Sequence, residues 1–138
     1  MDEYMKIAIK EAIKAEKKGD VPVGAIIVME NKVISKSYNK KEHNKNAIKH
    51  AEILAISKAC KRLHSWHLDN CILYCTMEPC MMCCGAILQS RIKKVVYLVK
   101  NEKYGCTHLL KNSKIEFIEM KNNTNMKQLL NDFFQLKR

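Results

Sequence analysis

The chain has 138 residues, a hydrophobic fraction of 47% and a formal net charge of +11. This length suits a single domain over residues 1–138, with a core large enough to fold without disulfide bonds. No run of about 18 apolar residues occurs, and the chain starts with acidic residues among lysines, so we expect neither a membrane span nor a secretory signal. The expected location is the cytoplasm.

Hydrophobic periodicity predicts a helix and a hairpin in the first third of the chain. Met5, Ala8 and Ala12 recur at helical spacing with lysines between them. Pro22 prevents this helix from continuing. A β-branched apolar run and an alternating run follow, separated by a turn at Asn31. The elements predicted here are a helix over 3–18, a strand over 23–30, a strand over 33–38 and a loop over 39–49.

Helices and strands alternate through the rest of the chain. The predicted elements are a helix over 51–62, a strand over 72–76, a helix that starts at Pro79, strands over 94–99 and 115–118, and a terminal helix over 126–138. The packed side of the 51–62 helix is expected to consist of Ile53, Leu54, Ile56, Ser57 and Cys60. This order predicts an α/β fold, a three-layer α/β/α sandwich around a mixed sheet of about five strands.

Two short motifs carry the chemistry. The first, HAE, begins at His50, and the second, PCMMC, ends at Cys83; each opens a predicted helix. In this order, H-x-E and P-C-x-x-C form the signature of zinc-dependent nucleobase deaminases. The candidate metal ligands are therefore His50, Cys80 and Cys83, and the candidate catalytic residue is Glu52.

The spacing of the two cysteines suits a metal ion. Residues three apart on a helix point to one side, and the positive end of the helix dipole stabilises thiolates, so Cys80 and Cys83 are expected to act together in a first helical turn. A right-handed βαβ connection would place both helix N-termini at the carboxyl ends of adjacent strands and bring His50 to the cysteines. Thiolates with imidazole favour one Zn²⁺, and three protein ligands leave a fourth position for water, as in catalytic sites.

Glu52 has a task beside such a site. Zinc lowers the pKa of a bound water to about 7. A neighbouring carboxylate can take the proton of that water, pass it to a ring nitrogen of the base and later protonate the departing amine. Glu52 is therefore expected to act as the proton shuttle of a hydrolytic deamination.

Other interpretations of the cysteines remain open. A lone C-x-x-C also occurs in redox sites and in zinc ribbons, although a ribbon needs a second such pair, which the sequence lacks. A further cysteine could close the metal site as a fourth ligand, which would favour a non-catalytic zinc- or RNA-binding module. The more ordinary interpretation is that the other cysteines are small buried side chains. These cysteines are Cys60, Cys71, Cys75, Cys84 and Cys106.

The sequence resembles the bacterial tRNA-specific adenosine deaminase family over nearly its whole length. The segments that carry the resemblance are VPVGAIIV, KHAEILAI, LYCTMEPCMMCCGAI, SRIKKVVY and LLNDFF. HAE and PCxxC are shared with deaminases of cytosine, guanine and cytidine, whereas VPVGA, MEPCxMCxGA, SRI and LLxDFF discriminate more finely. The resemblance implies the cytidine-deaminase-like fold and a hydrolase that converts the wobble adenosine of a tRNA anticodon to inosine.

The resemblance also implies substrate-binding residues. Asn39 stands where the family has an asparagine that contacts the flipped nucleoside, and Val23 is expected to line the base pocket. Phe133 and Phe134 match aromatics of a terminal helix near the bound anticodon loop. The more ordinary roles are a turn residue for Asn39 and core packing for the two phenylalanines.

The basic charge fits an RNA partner, because contacts with phosphates supply much of the affinity for nucleic acid. A lysine-rich surface without such a partner would have the same charge. The resemblance implies a tRNA anticodon stem-loop as substrate and a homodimer as the assembly. The alternative function is deamination of a free base or nucleoside. Asn101 bears on this choice, because the family commonly has an acidic residue there.

Overall fold

The computed structural model describes residues 2–121 together with residues 128, 131 and 132. In this part of the chain, a five-stranded sheet carries helices on both faces. The elements are α1 (Asp2–Lys17), β1 (Gly24–Met29), β2 (Lys32–Tyr38), α2 (Ala51–Leu63), β3 (Cys71–Met77), α3 (Met81–Gln89), β4 (Lys94–Val99), a 3-10 turn (Thr107–Leu110) and β5 (Glu116–Glu119). The predicted α/β sandwich is confirmed.

The strands lie in the order β2-β1-β3-β4-β5. β1 is antiparallel to both of its neighbours, whereas β3, β4 and β5 run parallel to one another. β2 and β3 therefore point the same way with β1 between them, so the strands that α2 connects are not adjacent. The prediction of adjacent strands is wrong for this pair, because the hairpin inserts β1. The carboxyl ends of β2 and β3 nevertheless meet at one edge of the sheet, where β1 begins.

Two apolar layers join the sheet to its helices. Met5, Ala8 and Ala12 of α1 are buried against one face. On the other face, α2 and α3 cover a second buried cluster. The predicted packed side of α2 is confirmed for Ile56 and for Cys60, which packs against this cluster, and is wrong for Ser57, which is exposed. Small alanines also face the sheet. The buried residues of α2 are Ala51, Glu52, Ala55, Ile56 and Ala59.

The start of β1 approaches α1 closely. A Cβ at Gly24 would overlap the carbonyl oxygen of Ala8 and lie 2.6 Å from the amide nitrogen of Ala12. The Gly24 N–H also donates to Thr76 Oγ1 of β3 at 3.1 Å. Glycine is needed here because it has no side chain to displace α1. This contact fixes the start of β1 at the edge where both sequence motifs lie.

The terminal helix predicted over 126–138 falls mostly outside the described residues. Among those that are described, no helix combines the length and apolar character that crossing a membrane requires.

Candidate active site

The two motifs meet at the carboxyl edge of the sheet. His50 is the N-cap of α2, which begins after the loop that follows β2. Cys80 is the N-cap of α3, and three residues separate the end of β3 from the start of this helix. His50 Nδ1 lies 3.6 Å from Cys80 Sγ and 3.6 Å from Cys83 Sγ. The beginnings of the two helices are therefore brought together.

Helix α3 begins later than the sequence predicted. Cys80 has extended backbone angles of φ −78° and ψ 178°, and the first helical residue is Met81. Pro79 thus precedes the N-cap and does not occupy the first helical position. The backbone of Cys80 instead forms a bridge with Gly105. The two cysteine side chains nevertheless point to the same place, as expected, and the sulfurs of Cys80 and Cys83 lie 3.8 Å apart.

His50, Cys80 and Cys83 form the one cluster within the described residues whose donor atoms could hold a metal ion. Their three ligand atoms all lie within 4.8 Å of one another. Cys83 is buried, and His50 and Cys80 are partly exposed to a cleft. An ion bound here would have protein on one side and open space on the other.

The electrostatics of the cluster favour a cation. A hydrogen bond shared with Cys83 lowers the pKa of Cys80 to about 3, and the same contact raises the pKa of Cys83. The hydrogen bond to Cys80 raises the pKa of His50. Negative charge is thus concentrated on the sulfur of Cys80, where a metal ion would be attracted.

Glu52 lies beside the cluster in the first turn of α2 and is only 4% exposed. Burial raises the pKa of Glu52 to about 7, and hydrogen bonding and the nearby His50 offset this only in part. A carboxyl group with a pKa near neutrality can both accept and donate a proton under physiological conditions. Its position and its pKa suit acid–base chemistry at the cleft.

The five other cysteines lie outside the His50–Cys80–Cys83 cluster. Cys84 points away from it and donates to the carbonyl oxygen of Pro79 at 3.7 Å, and burial raises its pKa to about 12. Cys75 is fully buried and donates to the carbonyl oxygen of Val96. Burial and contacts favour the ordinary interpretation for Cys71, Cys75 and Cys84, whereas Cys60 and Cys106 are only partly buried. Among the described residues, the alternative of a fourth cysteine ligand has no support.

A cleft of about 1440 Å³ opens over the cluster. Val23 and Asn39, both nearly buried, line it together with His50 and Glu52. The Asn39 side chain also donates to the carbonyl oxygen of Val21 at 3.3 Å and accepts from the Lys41 N–H at 3.1 Å. Asn39 therefore does shape the loop as a turn residue, and it does so at the wall of the cleft.

The predicted residues Phe133 and Phe134 lie outside the described residues. Asn131 of the same C-terminal segment is described, and it lines the cleft.

Sequence reasoning missed two buried carboxylates that hold the loops around the cleft. Asp20, fully buried, accepts from the backbone N–H groups of Glu42 and His43 at 2.8 and 2.9 Å. Glu78, 8% exposed, accepts hydrogen bonds from the loop after β4. The sequence gives only a weak indication of these roles: Asp20 follows the first predicted helix, and Glu78 directly precedes the P-C-x-x-C motif.

Comparisons with known proteins agree with this geometry. The family model of the MafB19-like deaminases matches residues 1–138. The chain is 49% identical over 109 residues to the tRNA-specific adenosine deaminase of Bacillus subtilis, covering 79% of this chain and 68% of that protein.

Two solved structures resemble the chain. A tRNA:A34 deaminase studied for A-to-I editing at the wobble position superposes with a TM-score of 0.88 at 28% identity, covering 94% of this chain and 100% of the other. The guanine deaminase of Bacillus subtilis superposes with a TM-score of 0.69 at 30% identity, covering 93% and 90%.

Proposed function

As this chain belongs to the MafB19-like deaminase family, together with the tRNA-specific adenosine deaminases, we propose that it hydrolyses the wobble adenosine of a tRNA anticodon to inosine. The protein is a deaminase, a hydrolase. The observation that carries the proposal is the position of Glu52, buried beside the His50–Cys80–Cys83 cluster at the base of an open cleft. The family match over the whole chain also supports a single deaminase domain over residues 1–138.

We propose that the cluster holds one zinc ion. Bonds of about 2.3 Å to sulfur and about 2.05 Å to nitrogen, at tetrahedral angles, require about 3.8 Å between two sulfurs and about 3.6 Å between sulfur and nitrogen. The separations here are 3.8 Å between Cys80 and Cys83 and 3.6 Å from His50 Nδ1 to each sulfur. The donor set of the chain thus fits the ion without rearrangement.

The residues of the chain divide the chemistry between them. Zinc, when bound, supplies Lewis acidity that lowers the pKa of water to about 7. Glu52 takes a proton from the water that attacks C6 of adenine and transfers it to ring nitrogen N1. Glu52 then takes the second proton from the hydroxyl now on C6 and passes it to the exocyclic amine, which leaves as ammonia as the C6 carbonyl forms, so adenosine and water become inosine and ammonia. The pKa of about 7 allows Glu52 to act in both directions.

Val23 and Asn39 are the proposed contacts of the nucleoside, and their position at the wall of the cleft next to His50 supports this role. An adenosine must be splayed out of the anticodon loop to reach such a site. Phe133 and Phe134 stay a prediction for contacts with the anticodon loop.

The partner is proposed from charge and from the relatives. Lys41, Lys100 and Lys103 line the cleft, and the chain carries a net charge of +11, which favours phosphate contacts. A tRNA substrate also supports the cytoplasmic location expected from the sequence, which stays a prediction.

A homodimer is the proposed assembly. Three large apolar side chains near the cleft are exposed, Met81 by 68%, Leu88 by 46% and Leu109 by 62%. All three line one shallow apolar groove. An exposed apolar patch of this kind is typical of a protein–protein interface, which supports the dimer.

A deaminase of free bases is the second candidate, because the guanine deaminase of Bacillus subtilis shares the fold at 30% identity. The deciding experiment incubates zinc-loaded protein with an arginine tRNA that carries adenosine at the wobble position, and sequences the product for inosine. Guanine, cytosine, cytidine and adenosine are assayed in parallel for release of ammonia.

Inosine formed only in the tRNA is the expected result. Ammonia released only from a small molecule would discard the RNA substrate and favour the second candidate. Glu52→Gln is the matched control: it should keep the metal and lose at least about 100-fold in turnover. A variant as active as the wild type would contradict the proposed proton shuttle. Wild-type protein inactive on every substrate, with zinc held by four protein ligands, would leave a non-catalytic zinc- or RNA-binding module in its place.

A further inference from the structure

Glu78 is a buried carboxylate that the chemistry above does not use. Its Oε1 accepts from the Asn101 N–H at 3.3 Å, and its Oε2 accepts from Thr107 through the backbone N–H at 3.2 Å and the hydroxyl at 2.6 Å. All three donors belong to one segment, residues 101–107, which we name the 101–107 loop. Burying a carboxylate is costly unless it is hydrogen-bonded, so the carboxylate and the loop stabilise each other.

The 101–107 loop is packed directly on this carboxylate. A Cβ at Gly105 would lie 2.5 Å from the carboxyl carbon of Glu78 and 2.6 Å from the carbonyl oxygen of Asn101. Two backbone contacts tie the loop to the metal-binding segment: Gly105 bridges Cys80, and the Cys106 N–H donates to the carbonyl oxygen of Pro79 at 3.2 Å. The conformation of the loop is therefore determined by contacts beneath it.

The outer side of the 101–107 loop faces the cleft. Tyr104 is 60% exposed and lines the cleft, and its N–H donates to Asn101 Oδ1 at 3.0 Å. The ammonium group of Lys103 lies 5.3 Å from the centre of the Tyr104 ring. An exposed aromatic ring with a cation beside it suits an unpaired base and its phosphate.

We propose that Glu78 is a positioning residue, which holds the 101–107 loop so that Tyr104 forms a stacking surface for the nucleotide next to the reacting adenosine. This inference rests on the proposed RNA substrate. Glu78 acts only through the loop, so its loss should weaken binding of the RNA and leave the chemistry at Glu52 intact.

The test measures kcat and KM separately for zinc-loaded protein acting on an anticodon stem-loop. Tyr104→Ala should raise KM about 10-fold, as expected for the loss of one stacked base. Glu78→Gln keeps the shape but turns one acceptor into a donor that faces an N–H group, and it should raise KM by a similar factor. Metal content and kcat should stay close to the wild-type values in both variants.

The double variant separates positioning from a general structural role. If Glu78 acts through Tyr104, the KM of the double variant should match that of the more affected single variant. The inference would be overturned if the KM increases of the two single variants multiplied in the double variant. It would also be overturned if Glu78→Gln lost metal while its KM stayed unchanged.

Thr107 offers a milder pair of variants in case Glu78→Gln fails to fold. Thr107→Val removes the hydroxyl that donates to Glu78 at 2.6 Å and should raise KM, whereas Thr107→Ser should restore it. Equal KM values for this pair would overturn the inference. Wild-type protein inactive on RNA would overturn the proposed function as well, whereas active wild type with indifferent variants would overturn only the role of Glu78 and Tyr104.

Discussion

One side of the cleft is built on helices and the other on loops. The His50–Cys80–Cys83 cluster and Glu52 lie at the beginnings of α2 and α3, which rest on the buried core of the sheet. The opposite walls are the 101–107 loop, held by Glu78, and the loop after β2, held by Asp20. Regular elements keep donor atoms at the separations that a metal ion requires. Loops that carry binding residues can vary with the substrate while the chemistry stays the same.

The largest effect is expected from breaking the helical side at Cys83. Cys83→Ala removes one of three ligands, so metal content should fall to that of a chelated sample and turnover should be lost. Cys84→Ala is the matched control, because Cys84 lies outside the cluster and bonds to the backbone of Pro79. Elemental analysis of both variants decides the matter. Equal metal content in the two would contradict the ligand assignment.

Glu52 should make the helical side sensitive to pH once metal is removed. Burial raises the pKa of Glu52 from 4.5 to about 7. A raised pKa means that the stability contributed by the protonated carboxyl is fully present below pH 4.5 and is lost as the pH rises through about 7. Glutamine stays neutral at every pH. The free energy of unfolding of Glu52→Gln, relative to that of the wild type, should therefore rise by on the order of 2–3 kcal/mol when the pH is raised from 5 to 8.

Urea unfolding in the presence of a chelator, at both pH values, measures this gain. A difference between variant and wild type that does not change with pH would contradict the raised pKa.

Variants of Asp20 should show whether the loop after β2 can be destabilised without loss of metal from the helical side of the cleft. Asp20→Ala leaves the N–H groups of Glu42 and His43 without their acceptor, which should lower the free energy of unfolding by about 1–3 kcal/mol. Metal content should be retained, because His50 is held as the N-cap of α2. Asp20→Asn keeps one acceptor oxygen, so its free energy of unfolding should fall by less than that of Asp20→Ala. Loss of metal from Asp20→Ala would show that the two sides are not separable.

The smallest effect is expected from a single lysine on the loop side. Lys103→Ala should raise KM for RNA a few-fold and reduce the salt dependence of binding by about one unit of log–log slope, as expected for one lost phosphate contact. Lys61→Ala removes the same charge from the last turn of α2, where Lys61 is exposed and outside the cleft lining. If the salt dependence of binding had the same slope in both variants, the effect would come from the net charge of the protein and not from a contact of Lys103 with phosphate.

Local pattern predicted most of the elements, because periodicity reflects burial against a core. β4 spans 94–99 as predicted, and α2 and β3 extend at most one residue beyond their predicted ends. The predictions were wrong where the structure depends on contacts between residues that are far apart in the sequence. On α2, three alanines are buried beside the predicted Ile56, and the predicted Ser57 is exposed, because residue type alone does not tell which turn of the helix faces the sheet. Pro79 precedes α3 because the backbone of Cys80 pairs with Gly105.

The sequence by itself predicted the chemistry proposed for the site, because thiolate and imidazole groups are the ligands that zinc prefers and a carboxylate can move protons beside it. The H-x-E and P-C-x-x-C signature named His50, Glu52, Cys80 and Cys83, and the structure brings the ligand atoms of the His and the two Cys together. Tertiary structure alone decided how the walls of the cleft are held. Asp20 meets its loop partners 22 and 23 positions away, and Glu78 meets Thr107 29 positions away. Such pairs leave no periodic trace in the sequence, because they depend on which strands the hairpin and the crossovers bring to the same edge of the sheet.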